Sequence, residues 1–151
     1  MDGAVLIRPA RAEERGLLED LQRSASLALD DYREALLAHP DAIALTAGEI
    51  AAGRVHVTEV RGRVVGFMVL MPKHAGELEL DGLFVDPATW RNGVGQALIA
   101  KAREIGECER VRAISMVANP TAQDFYAACG FELTGSAPTR FGPALTMRLK
   151  L

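Results

Sequence analysis

Hydrophobic positions along the 151-residue chain follow two rhythms, and the changes between them mark out the elements. The run Val5, Leu6, Ile7 closes at Pro9 and predicts a short strand, after which Leu17, Leu18, Leu21 and Ala25 recur at helical spacing on one side. The helical pattern resumes from Tyr32 to Ala38 and is interrupted at His39-Pro40. Thr46-x-x-Glu49 ahead of Ile50 has the form of a capping box, with Gly53 closing that helix. The period then drops to two. Val55 and Val57 fall on one face, Arg54, His56 and Thr58 on the other, and Arg61-Gly62 supplies the turn into the apolar run Val64 to Met71. This predicts an antiparallel hairpin, followed by a second turn at 72–76 and a third strand from Glu77 to Val85.

A bend containing Gly93 and Gly95 separates that strand from a helix over 94–107, whose end Gly106 is expected to fray. A strand follows from Val111 to Val117. Asn119-Pro120 then opens a short helix with proline at its first position, and Gly130 stops it in the left-handed conformation. Phe131 to Thr134 and Ala144 to Leu149 are expected to be the last two strands, joined by a loop, 135–143, rich in Gly and Pro. The order βαα-βββ-αβαββ implies an α+β fold with one mixed sheet. With no repeat or linker along the way, residues 1–151 are expected to form a single domain.

Composition narrows the chemistry. A formal charge of -3, a pI of about 5.6 and only one Trp, two Tyr and five Phe give no basic surface or stacking platform for nucleic acid. The apolar run 64–71, already broken by Gly66, is too short to span a bilayer, so no membrane association is expected. MDGAVLIRPA lacks the pattern of an export signal, and Cys108 and Cys129 form neither a C-x-x-C nor a disulfide framework. A cytoplasmic protein with reduced thiols is the expectation.

The bend carries the functional signal. A strand that turns through glycines into a helix presents unpaired N–H groups and about half a positive charge, a natural seat for phosphate. The nucleotide P-loop needs Gly-Lys, which the chain lacks. The dinucleotide fingerprint needs a third glycine where Leu98 stands and an acidic residue ending the next strand, so NAD binding is a poor second. Gly93 and Gly95 fit [Q/R]-x-x-G-x-[G/A], although Trp90 occupies the Gln/Arg position, with Arg91 beside it. Downstream, Asn119-x-x-Ala122-x-x-Phe125-Tyr126-x-x-x-Gly130-Phe131 provides a second motif. On these two motifs and the order of elements, the chain resembles the GNAT superfamily of acetyl-CoA-dependent N-acetyltransferases. The resemblance implies a central, mostly antiparallel sheet of six to seven strands flanked by about four helices, with splayed central strands forming the CoA cleft.

Acetyl transfer to an amine needs a base, because an amine of pKa about 10.4 is protonated at neutral pH. Glu77, Glu79 and Asp81 alternate with Leu78 and Leu80, placing three carboxylates about 7 Å apart on one strand face, where mutual repulsion raises the pKa of the deepest. By resemblance Glu79 stands at the position of the family's glutamate base, with Asp81 second. The resemblance also implies oxyanion donors near Leu83 to Val85, with Gly82 a candidate bulge, and pairing of Phe84 and Val85 with the pantetheine arm. Arg91, Asn92, Gly93, Val94, Gly95 and Gln96 are the implied diphosphate seat. Tyr126 is the implied acid for the departing thiolate, unless it is simply packing beside an apolar stripe of Ala122, Phe125 and Cys129. Asn119 and Tyr126 are the implied contacts to the CoA arm.

His39, His56 and His74 sit at positions that suit solvation better than catalysis, and no metal is implied. Arg140 could meet a substrate carboxylate, and Asp30, Asp31 and Tyr32 could line the acceptor side. The expected partners are acetyl-CoA and a small-molecule or peptide amine, acting on a monomer or homodimer. A non-catalytic acyl-CoA-binding regulatory module is the alternative.

Overall fold

The computed structural model describes residues 5–27, 45, 47–90, 92–139 and 142–151. The elements run β1 (Val5–Pro9), a 3-10 turn (Ala12–Glu14), α1 (Arg15–Leu27), α2 (Ala47–Ala51), β2 (Val55–Val60), β3 (Arg63–Lys73) and β4 (Glu77–Val85). After a second 3-10 turn (Pro87–Thr89) come α3 (Val94–Cys108), β5 (Ala113–Ala118), α4 (Gln123–Ala128), β6 (Glu132–Thr139) and β7 (Gly142–Lys150). The strands make one seven-stranded sheet in the order β1-β2-β3-β4-β5-β7-β6. β4 and β5 pair in parallel, while β1–β2, β2–β3, β5–β7 and β6–β7 are antiparallel. The mostly antiparallel α+β fold is as expected. The helix over Tyr32 to Ala38, the interruption at His39-Pro40 and the capping box at Thr46 fall outside the described residues. Internal contacts gather in two units, Met1–Val69 with Gly82–Leu98 and Leu70–Asp81 with Ile99–Leu151.

In the first unit Leu18, Val55, Val57, Phe67 and Met68 are fully enclosed, each such side chain contributing roughly 1.5–3 kcal/mol. The hairpin turn uses Arg61 (φ 54°) and Gly62 (φ 76°), the paired positive angles that match strand twist. Gly66 lets α3 sit close, since a Cβ there would stand 3.0 Å from Val94 Cγ1 and 3.1 Å from the Phe84 carbonyl oxygen. α2 ends in a left-handed stop at Gly53, whose N–H reaches Ile50 O at 3.0 Å while Arg54 N–H reaches Glu49 O at 3.0 Å. Two expectations are corrected here. Leu17 is 51% exposed, because only Leu18 and Ala25, seven positions apart, point fully inward. Thr58, assigned to the polar face, is fully buried, because it pairs with Gly66 on a sheet face that also carries the enclosed Met68 and is covered by Val94 and Leu98 of α3.

The second unit buries Leu78 and Leu80 of β4 against the same sheet face as Ile114 and Met116 of β5, which in turn oppose Leu149 and Met147 of β7. Gly106 does not fray the helix. It is enclosed, and a Cβ there would stand 2.5 Å from Leu151 Cδ1 and 3.1 Å from Val111 Cγ2, so the glycine permits close packing. α3 runs on to Cys108 and stops through left-handed Arg110 (φ 58°), with Val111 N–H bonded to Gly106 O at 3.0 Å. The expected loop 135–143 is largely strand, since β6 and β7 stay in register out to Thr139↔Gly142. Pro138 and Pro143 oppose each other there; neither has an N–H to give, so this is a non-hydrogen-bonded pair, and the strands tolerate it. Pro72 likewise lies within β3, not in the turn, which is confined to 74–76.

Candidate active site

At the end of β4 the chain turns away from the sheet. Asp86 donates its N–H to Val65 O at 2.8 Å, and its carboxylate accepts from Ala88 N–H at 3.0 Å and from Arg63 Nη2 at 2.8 Å. This caps the 3-10 turn that carries Trp90, whose indole Nε1 donates to Val85 O at 2.8 Å. Gly93, in the left-handed region at φ 82°, then opens α3, and the first bond that closes the helix joins Ala97 N–H to Gly93 O at 3.0 Å. The helix therefore offers the N–H groups of Val94, Gly95 and Gln96 no acceptor of its own, and its dipole is positive at this end. A Cβ at Gly93 would meet nothing within 4 Å, so the approach is open. Asn92 and Gln96 are exposed, Gly95 is half-buried, and the Val94 side chain is buried beside Gly66. Arg91 lies outside the described residues. This corner suits an anionic group such as a diphosphate.

Backbone direction along β4 sorts the neighbouring residues. Asp86 N–H and Phe84 O both turn toward β3, so by strand alternation the polar groups of Leu83 and Val85 turn to the other edge. The Phe84 ring packs on Phe67 with centroids 5.2 Å apart. Gly82 makes room for it, since a Cβ there would stand 2.7 Å from Phe84 Cε2.

Further back on β4, Glu77 and Glu79 are half-buried and Asp81 is exposed. The expected mutual repulsion is not what governs Glu77. Arg148 of β7 donates to its carboxylate at 3.2 and 3.5 Å, and that hydrogen-bonded guanidinium holds Glu77 below the usual carboxylate range. Glu79 stands opposite Ser115 of β5, whose hydroxyl accepts a hydrogen bond from Lys73 Nζ at 2.9 Å. Arg148 and Lys73 escaped the reading of the sequence. The polar alternation Thr146, Arg148, Lys150 against Met147 and Leu149 marks that strand face, but only the β5–β7 pairing brings it to Glu77.

Tyr126 is the buried residue of α4, only 7% exposed, while Ala122, Phe125 and Cys129 of the expected apolar stripe are half-buried. Its ring meets the edges of Phe125 and Phe131 at centroid distances of 5.0 and 5.7 Å. Burial, and secondarily Cys129, pushes its phenol well above the usual tyrosine range, so it is neutral at physiological pH. Burial also raises the Cys129 thiol, opposed by Arg103. Asn119 caps the following turn, its Oδ1 accepting from Thr121 N–H and Oγ1, both at 3.0 Å. Its Nδ2 is buried without a hydrogen-bond partner.

Along α1, the exposed Leu17 borders a groove of about 500 Å³ with Leu21, Ser24, Arg8, Glu59 and Arg63. His56 is half-buried on β2 and His74 exposed in a turn; His39, Arg140, Asp30, Asp31 and Tyr32 lie outside the described residues. Among the described residues, no three His, Cys, Asp or Glu side chains gather to hold a metal ion, and no helix is long and apolar enough to cross a membrane.

A family model described as "Acetyltransferase (GNAT) family" matches residues 17–131. The fold is similar to that of the PaiA N-acetyltransferase of Thermoplasma acidophilum in complex with coenzyme A, with a TM-score of 0.82 at 18% identity over 98% of this chain and 99% of that one. It is also similar to Ard1 of Thermoplasma volcanium, with a TM-score of 0.75 at 22% identity over 98% of each chain. The ribosomal-protein-S18-alanine N-acetyltransferase of Escherichia coli gives a TM-score of 0.72 at 19% identity over 97% of this chain and 94% of that one. Among curated proteins none matches the chain in sequence.

Proposed function

The chain belongs to the acetyltransferase (GNAT) family, and from that premise we propose that it carries the acetyl group of acetyl-CoA to a primary amine by direct attack in a ternary complex. The observation that carries this reading is the open left-handed turn at Gly93 in front of the unbonded first-turn amides of α3. In the proposal, the amides of Val94, Gly95 and Gln96, with Asn92 and Arg91, hold the diphosphate. Leu83 and Val85 offer backbone N–H groups to the pantetheine arm and to the developing oxyanion, while Phe84 forms the wall behind them. The unpartnered Nδ2 of Asn119 is a further donor to the arm.

Glu79 takes the ammonium proton of the acceptor, directly or through water, with Asp81 as the second candidate. The freed amine nitrogen bonds to the acetyl carbon, Tyr126 gives its phenolic proton to the departing thiolate as the carbon–sulfur bond breaks, and the second proton lost by the nitrogen returns through water to the phenolate. Burial keeps the Tyr126 phenol protonated, so it holds a proton to give, while the same burial lowers its acidity. The α1 groove is the candidate approach for the acceptor. The free thiols Cys108 and Cys129 suit a reducing compartment, and we place the enzyme in the cytoplasm as one acetyltransferase domain, monomeric or homodimeric.

The test is CoA-thiol release from acetyl-CoA over a panel of amines: amino acids, polyamines, aminoglycosides and peptides with free N-termini or lysines. Release with at least one amine, together with an acetylated product, is expected. Tight acetyl-CoA binding with no release on any amine would replace the enzyme by a binding module.

A further inference from the structure

Lys73 ends β3, yet its Nζ donates to the Ser115 hydroxyl on β5 at 2.9 Å. β4 runs between those two strands, so the lysine side chain crosses it, inside the unit that holds Leu70–Asp81 and Ile99–Leu151. The register fixes the face. Glu79 stands opposite Ser115, and Ser115 opposite Arg148, so carboxylate, hydroxyl and guanidinium form one row across β4, β5 and β7. α3 and the stop of α4 lie on the other face, where a Cβ at Gly106 would stand 3.7 Å from Ile114 Cδ1 and one at Gly130 3.2 Å from Leu149 Cδ1. Glu79, Ser115 and Arg148 are half-buried, Lys73 is exposed, and Val117, next along the face from Ser115, is 50% exposed.

Hydrogen-bond donors outnumber acceptors at this row. An ammonium has three protons and no lone pair, so a hydroxyl that accepts from Lys73 cannot give its own proton back. The Ser115 O–H and the remaining Lys73 protons therefore stand side by side with no acceptor among the described residues. Charge points the same way. Arg148 foremost, then Lys73 and Arg112, act on the one carboxylate of Glu77, which leaves positive charge in excess beside it. Glu79, about 7 Å further along β4, has no partner among the described residues. Resting on Glu79 as the group that takes the acceptor's ammonium proton, we infer that Lys73 and Ser115 seat a carboxylate of that acceptor, so that the substrate is an amino acid whose amine and carboxylate lie a few bonds apart. Glu79 receives one end, the two converging donors receive the other, and Val117 offers apolar surface alongside. A polyamine would bring a second cation to Lys73 and be repelled.

Calorimetry on the CoA-loaded protein at neutral pH tests this, comparing glycine, β-alanine and 4-aminobutyrate with their amides for wild type, Lys73→Met and Ser115→Ala. Charge-assisted hydrogen bonds predict that at least one acid binds wild type about tenfold or more tightly than its amide. That preference should vanish in Lys73→Met and shrink in Ser115→Ala. Lys73 is exposed, so losing its ammonium leaves the packing intact. In the thiol-release assay the KM of the same acid should rise about tenfold in Lys73→Met. Equal binding of acids and amides, no binding of either, or a preference that survives in Lys73→Met overturns the seat. Thiol release on amines without a carboxylate and without that preference would overturn the seat alone and leave the acetyltransferase reading standing. Failure of every amine to release thiol would overturn that reading, whereas an acid-over-amide preference in binding would still support the seat.

Discussion

Replacing Tyr126 by Phe separates chemistry from packing. The ring is 93% removed from solvent and held by edge contacts to Phe125 and Phe131 at 5.0 and 5.7 Å, and phenylalanine keeps all of that apolar contact. Loss of the hydroxyl alone should therefore change stability by less than about 1 kcal/mol. Truncation to Ala, in contrast, empties the site and should cost about 3–5 kcal/mol. If the phenol supplies the thiolate's proton, Tyr126→Phe should lower kcat by about 10²–10⁴, equivalent to roughly 3–5 kcal/mol of barrier. Since burial raises the phenol's pKa, the wild-type profile should show no alkaline loss from this group below the ordinary tyrosine value of about 10. Thiol release at saturating acetyl-CoA and amine measures the first quantity, and thermal unfolding the second. A variant that melts like wild type and turns over within a few-fold of it would refute the acid assignment.

Glu79→Gln should reduce kcat by about 10²–10⁴ in the thiol-release assay, while Glu77→Gln, whose parent carboxylate is engaged by Arg148, should leave kcat near wild type. Glu14 accepts from Arg8 at 2.8 and 2.9 Å and from Arg11 N–H at 2.8 Å, and Arg8 foremost holds its pKa down. A depressed folded pKa contributes stability above the unfolded value of about 4.3 and loses it as pH falls through the folded one. Glu14→Gln should therefore cost about 1.5–3 kcal/mol at neutral pH and flatten the acid side of a urea-unfolding series; parallel curves for the two proteins would contradict this.

Elements with strong periodic or turn chemistry were legible in the chain itself. The hairpin at Arg61-Gly62 and the strand Glu77–Val85 follow from alternation and left-handed turn residues, and the capped turn at Asn119-Pro120 from its own cap. What failed depended on partners distant in sequence. Gly106 reads locally as a helix breaker, but Leu151 and Val111 come so close that a Cβ there would have to push the Leu151 side chain aside. The Gly- and Pro-rich stretch reads as a loop, but pairing with β7 at matched prolines makes it a strand. Thr58 follows strict alternation in the sequence, but the sheet face it shares with Gly66 and Met68 is covered by Val94 and Leu98 of α3. At the site the carboxylates and Tyr126 were visible as residue types. The guanidinium that engages Glu77 comes from 71 positions away and required the sheet order.

In the proposed mechanism the first-turn amides of α3 receive the diphosphate of acetyl-CoA. A crystal structure of the protein with coenzyme A measures this directly: diphosphate oxygens should lie within hydrogen-bonding distance of the N–H groups of Val94, Gly95 and Gln96. Coenzyme bound with its diphosphate away from the Gly93 turn would contradict it.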